Sequence, residues 1–291
     1  MEIDIKLAIS AFVLGLGMSG VYFLLTVGLS LCYGLMRVIS LDQFFYYALG
    51  AHITYTLINI TGNFWLGLLT GVIAVLFIAY SIEKLIYRQI YKKPIMFSMI
   101  LSFGVNLAGV GIIKYIWGLA PKPVKAPIGG TIPILGTDVP GYRVFVILLA
   151  ILIYLGVWYF LNKTIVGTAV RAGIDDAEKV EALGINVYKL FTLTFILAAS
   201  LSALAGGLHA PMIMVVPDMG LSITSFAFMV VIIGGLGSIK GTLISSFIVG
   251  QIVSFGSLIW APLANIAPFI LMLIVLLIKP TGLYGSKYLR R

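Results

Sequence analysis

The chain has 291 residues, 61% apolar and 10% charged, with a formal net charge of +9 and a mean hydropathy of +1.12. Soluble domains hold about 45–50% apolar residues, so a soluble reading would need an implausibly large core. The same apolarity argues against nucleic-acid binding, and the basic balance suits an anionic lipid face. The single cysteine, Cys32, permits no intramolecular disulfide and no thiolate cluster.

Apolar runs near residues 8–36, 44–60, 64–82, 95–117, 142–162, 190–209, 221–239, 241–260 and 262–279 predict an all-α, polytopic helical membrane protein of about eight to ten spans. A single membrane domain covering 1–291 is expected. The first run has no cleavage motif after a short apolar region and reads as a retained span. Gly15, Gly17, Gly20, Gly28 and Gly34 stud it, and small residues let membrane helices approach closely. The second run is short and follows Arg37 and Asp42, so it reads as a broken or partly re-entrant helix. Pro94, Pro211, Pro217, Pro262 and Pro280 sit at segment edges as stop signals.

Residues 118–141 form a loop whose prolines, Pro121, Pro123, Pro127, Pro133 and Pro140, forbid a continuous helix. Alternation in TIPILGTDV predicts a short hairpin. An ordered surface loop and a platform for an external partner stand as equal readings.

The stretch 163–189 is a polar island between bilayer-length runs. Four of the ten acidic residues, Asp175, Asp176, Glu178 and Glu181, lie here. Its periodicity predicts one surface helix. Ala169, Ala172, Ala177, Val180 and Leu183 share one side; Arg171, Asp175, Glu178 and Lys179 lie mostly on the other. Asp175 and Lys179 are spaced to pair at i,i+4. Gly167 permits a tight exit from the preceding span, and Gly184 is placed to end the helix in a left-handed cap. A docking helix needs that early stop; a passive connector does not.

Placing the island in the cytoplasm puts 14 of the 19 basic residues on that side, including Lys92 and the tail Lys287, Arg290 and Arg291. The C-terminus is then cytoplasmic in a cell membrane. Gly234, Gly235, Gly237 and Gly241 form the cluster IIGGLGSIKG, which lacks the Gly-Lys-Ser/Thr order of a phosphate loop and reads as a backbone crossing or broken helix. No catalytic, metal or cofactor motif emerges around His52 and His209, and no Walker motif is present, so no enzyme activity is expected. Few ionisable groups lie in mid-span, which favours a separate motor over an ion gradient.

Gly167 to Val187, GTAVRAGIDDAEKVEALGINV, resembles the cytoplasmic coupling motif of branched-chain amino acid ABC importer permeases, with Arg171, Ala172, Asp176, Gly184, Ile185 and Asn186 at the motif positions. Leu193–Leu208, Gly234–Gly241, Ile278–Gly285 and Gly20–Ser40 are similar to further stretches of that family, in order and at matching spacing. The short N-terminus is similar to the H-type of the two paired permeases. The resemblance implies an importer of leucine, isoleucine, valine and related amino acids. It implies cytoplasmic ATP-binding subunits, a second permease subunit and an external solute-binding protein. ATPase coupling would fall to Gly167, Arg171, Ala172, Asp176, Glu178, Gly184 and Ile185.

The chain departs from the pattern after the first span, where Ser40, Leu41, Asp42, Gln43, Phe44 and Phe45 replace the usual Asn-Phe-Ala-His-Gly and following acid. Val180 stands where an Ala is expected, and Lys240 where a Pro is expected. Ser40, Asp42 and Gln43 are the candidate path residues, because exposed backbone at broken helices commonly lines transporter sites. Asp42 has a second reading, as a helix cap for the second span. An importer of another small amino acid, an amide or urea remains open. So does a stand-alone secondary transporter or channel.

Overall fold

A computed structural model describes residues 5–91, 93–134 and 136–285. The described residues hold ten helices: α1 (Ile5–Met36), α2 (Gln43–Thr61), α3 (Phe64–Leu85), α4 (Ile95–Trp117), α5 (Gly141–Lys163), α6 (Ile165–Ala182), α7 (Val187–His209), α8 (Met219–Gly234), α9 (Ile239–Ile259) and α10 (Ala261–Ile278). A hairpin of β1 (Thr131–Ile134) and β2 (Thr137–Pro140) precedes α5, with Thr131 opposite Pro140 and Ile134 opposite Thr137. The Lys92 position and the tail basic residues Lys287, Arg290 and Arg291 lie outside the described residues.

Among the described residues, seven helices are long and apolar enough to cross a bilayer: α1, α3, α4, α5, α7, α9 and α10. In that reckoning α3 continues through the 3-10 turn Tyr87–Gln89. Helices α2 and α8 have 19 and 16 residues. At 1.5 Å per residue α8 is only about 24 Å long, short of the roughly 30 Å apolar layer. It ends at Gly234, five residues before the predicted limit, because the glycine cluster turns the chain.

Helix α1 runs through the middle, packed on α9, α7, α5, α8 and α6. The glycines explain how. A Cβ at Gly28 would lie 2.9 Å from the Ala198 Cα of α7, at Gly20 3.0 Å from the Ala150 Cβ of α5, and at Gly34 3.1 Å from the Gly237 Cα. Without side chains there, backbones approach and dispersion contacts multiply, which is the main attraction between helices in lipid.

Two expectations are corrected. Helix α2 is continuous, not broken. The irregular backbone lies before it, at 37–42, where Arg37 takes φ 51°. The polar island is not one straight helix. Asp176 has φ −160° and ψ 100°, so α6 breaks there into two helical pieces. A mid-helix Asp favours this outcome, because its side chain competes for backbone donors.

The turn 235–238 and the chain end form one substructure. Leu283 N–H donates to Ile233 O at 2.8 Å and Tyr284 N–H to Gly234 O at 3.0 Å. Any Cβ at Gly235 would strike the Gly285 backbone. The glycine cluster and the C-terminal Gly-Leu-Tyr-Gly are thus two halves of one packed turn. Lys240 sits in the first turn of α9, where a Pro is also tolerated, so this departure leaves the turn intact.

Candidate functional site

The loop 164–186 is built from caps. Thr164 opens α6, its side chain accepting from Gly167 N–H at 2.9 Å. Gly167 lies against the α5 backbone at Phe160 and Leu161, where a side chain would collide, so the tight exit requires glycine. The first piece of α6 is anchored to α1, with Gly173 over Leu35 and Ile174 over Gly34.

Asp176 starts the second piece as its N-cap, accepting from Lys179 N–H at 3.2 Å. Its carboxylate also meets the Lys179 amino group at 3.0 Å. These bonds, that to the Lys179 side chain first, hold its carboxyl below the ordinary value. Lys179 therefore pairs with Asp176; the Asp175 side chain is outside those described.

Gly184, at φ 82°, ends the piece. Gly184 N–H donates to Glu181 O at 2.9 Å and Ile185 N–H to Val180 O at 3.4 Å, the paired bonds of a Schellman stop. Asn186 at once caps α7, accepting from Lys189 N–H at 3.1 Å. Gly-Ile-Asn is thus a helix stop joined to a helix start.

The break changes which residues share a face. Ala169, Val170 and Val180 are buried, but Ala172 and Leu183 are exposed, contrary to the single apolar side expected. Arg171 donates to Asn162 Oδ1 at 3.0 Å and, with Ala172, borders a cavity of about 610 Å³ beside the 237–240 turn. Asp176 and Glu178 line a different cavity, of about 800 Å³, shared with Arg37, Tyr91, Lys93 and Phe191.

Ser40, Asp42 and Gln43 come together, all fully buried. The Ser40 hydroxyl donates to Asp42 Oδ1, and Gln43 Nε2 donates to Ser40 Oγ at 3.2 Å. Ser202 of α7 donates to Gln43 Oε1 at 2.8 Å. The Tyr46 and Tyr87 hydroxyls lie within electrostatic reach of Asp42 without a closed hydrogen bond to it. Asp42 occupies the cap position of α2, but its side chain makes no cap bond.

A second polar cluster went unread in the sequence. Glu83, fully buried near the end of α3, accepts from the Tyr91 hydroxyl at 2.6 Å and faces Arg88 Nε at 3.5 Å. Arg88 Nη2 also donates to Thr192 Oγ1 of α7 at 3.1 Å. A lone acid, Glu83, immediately before the basic run Lys84–Lys93 was the available signal, since a carboxylate at a span end seeks a partner. At the opposite end Asp218 pairs with Lys114 at 2.9 Å.

The family described as "Branched-chain amino acid transport system / permease component" matches residues 11–276. The chain is similar to the high-affinity branched-chain amino acid transport system permease protein BraD of Pseudomonas aeruginosa, 24% identical over 93% of this chain and 94% of that protein. It is similar to the probable branched-chain amino acid transport permease protein LivH of Methanocaldococcus jannaschii, 27% identical over 92% and 89%. A shorter similarity, 30% identical over 36% of this chain and 37% of the relative, reaches the guanosine ABC transporter permease protein NupQ of Bacillus subtilis. An ordered set of glycine turns, a capped loop and apolar helices, matched from end to end, has one reading: the chain belongs to the family of branched-chain amino acid transport system permease components.

Proposed function

We propose that this permease forms the membrane path of an ATP-driven importer, with α6 seated on a cytoplasmic ATP-binding subunit. The observation that carries this is the construction of 164–186. It is anchored on α1, stopped by a Schellman motif, and leaves Arg171, Glu178, Lys179, Glu181 and Leu183 exposed. An exposed Leu183, 79% accessible beside alternating charges, suits a protein groove better than water. Gly167, Arg171, Ala172, Asp176, Glu178, Gly184 and Ile185 make up this coupling surface. The α6 end and the C-terminus are cytoplasmic.

The proposed cargo is a branched-chain amino acid, delivered at the hairpin end by an external solute-binding protein. A second permease subunit would complete the path. Ser40, Asp42 and Gln43 face that path in its open state. The partial match to a guanosine permease keeps another polar small molecule as the second reading.

Reconstitution with candidate ATP-binding subunits and a binding protein, followed by uptake of labelled leucine, tests both. ATP-dependent uptake displaced by isoleucine and valine is expected. Uptake without ATP would put a secondary transporter or channel in its place. ATP-dependent uptake displaced only by an amide, urea or a nucleoside would move the cargo and keep the motor.

A further inference from the structure

We infer that Glu83, Arg88, Tyr91 and Thr192 form a latch that closes the path at the α6 end and ties its state to α6; this rests on the transport reading above. Four observations lead there.

The cluster ties the end of α3 to the start of α7, two helices that also pack against one another. Glu83, Arg88 and Tyr91 come from the end of α3 and the turn after it; Thr192 comes from the second turn of α7. Tyr91 also packs on Phe191 at 5.0 Å and on Tyr188 at 6.1 Å, both in the opening turns of α7. Those turns follow directly on the Gly184–Asn186 junction. A displacement of α6 reaches Tyr188, Phe191 and Thr192 through one capped joint.

The cluster stands between the open cavity and the buried trio. Tyr91 and Phe191 line the 800 Å³ cavity, whose other side is Gly173, Asp176 and Glu178 of α6. Glu83, behind Tyr91, is wholly buried. Next to it Tyr87 packs on Phe195 at 4.7 Å, and Phe195 on Tyr46 of α2 at 6.1 Å. Asp42, Ser40 and Gln43 follow.

The bonding suits a contact that breaks. The Glu83–Arg88 pair is a single approach at 3.5 Å, not a bidentate fork, and Glu83 Oε2 has no partner among the described residues. The Arg88 side chain is 39% exposed, and an ion pair open to solvent on one side contributes little. Water entering from the adjacent cavity would solvate Glu83, so opening is inexpensive.

The chain carries its own reporter. Cys32, the single cysteine, is fully buried on α1, next in sequence to Tyr33, which lines the 800 Å³ cavity. An opened latch admits a small reagent to it.

The experiment measures the rate of Cys32 alkylation by N-ethylmaleimide on the full-length permease in its membrane. Tyr91→Phe removes only the hydroxyl on Glu83. Thr192→Val removes only the bridge from Arg88 to α7. Each is expected to raise the rate about tenfold, the effect of losing one buried hydrogen bond on a closed–open ratio. Ser245→Ala is the control, because it removes a 2.6 Å buried bond from α9 to Val230 O of α8. Faster labelling in either latch variant with an unchanged control supports the latch. Unchanged labelling in both variants, or an equal rise in the control, overturns it and leaves the cluster as packing. Labelling needs no motor subunit. Failure of ATP-binding subunits to associate with the wild type would therefore count against the transport reading while the latch result stands.

Discussion

Gly184 holds φ 82° with open space where a Cβ would sit, so its constraint is conformational and not steric. A β-branched residue there pays about 1–2 kcal/mol for the left-handed backbone, or abandons the stop and lets the helix run on. Gly184→Val is expected to leave the permease inserted while abolishing ATP-driven uptake; Arg171→Glu is expected to do the same by reversing an exposed charge. Normal uptake and normal ATPase association in both would make 164–186 a passive linker. The depressed carboxyl of Asp176 adds a pH statement. Its cap contributes above the ordinary carboxylate value and fades as pH falls through the lower folded value, so the α6 break is insensitive to pH across the neutral range.

Gln43 calls for a different assay. Its amide serves Ser40 and Ser202 at once, and truncation leaves the buried Ser202 hydroxyl without its acceptor, at roughly 1–3 kcal/mol, while Ser40 keeps Asp42. Gln43→Ala therefore lowers expression whether or not the residue faces cargo. The distinguishing measurement is the ratio of uptake for leucine against a competing amide. A changed ratio places Gln43 on the path; reduced but proportionate uptake makes it an α2–α7 fastener.

Among elements, what the sequence disclosed and what it hid divide along sequence distance. Most helix limits were legible because prolines and glycines punctuate them, the end of α8 excepted, and the hairpin because TIPILGTDV alternates. The close approaches along α1 were legible from its glycines. The Asp176 break was not read, although the Asp175–Asp176 doublet offered a signal, since periodicity continues smoothly across it. The Glu83–Arg88–Thr192 cluster was hidden because Thr192 lies 104 residues from Arg88, and nothing local announces the pairing.

Glycines that look alike in sequence also differ in weight. A Cβ at Gly206 would strike the Tyr47 carbonyl where α2 crosses α7, whereas Gly111 of α4 has nothing within 4 Å. Gly206→Ala is expected to cost about 1–3 kcal/mol or to prevent folding. Gly111→Ala should be neutral or gain about 0.5–1 kcal/mol in helix propensity. Thermal unfolding in detergent, followed by size-exclusion profile, compares them. Equal midpoints would mean that α2 and α7 do not cross as closely as described.

At the scale of the whole molecule, the two ends differ in how many basic residues they carry. One has Lys6, Lys114, Lys122, Lys125 and Arg143; the other has Arg37, Lys84, Arg88, Lys93, Lys163, Arg171, Lys179, Lys189 and Lys240. Basic residues are retained on the cytoplasmic side during insertion, so the α6 end is expected inside. The test uses single reporters in a Cys32→Ser background. Ala177→Cys lies beside the Asp176 cap, and Lys125→Cys sits on the exposed loop before the hairpin. In intact cells an impermeant thiol reagent should label position 125 and spare 177, with the pattern reversed in inside-out vesicles. Labelling of 177 from outside would place α6 beyond the reach of any ATP-binding subunit. The motor assignment would then fall together with the topology, whereas the packing of α1, α2 and α7, which depends on neither, would be untouched.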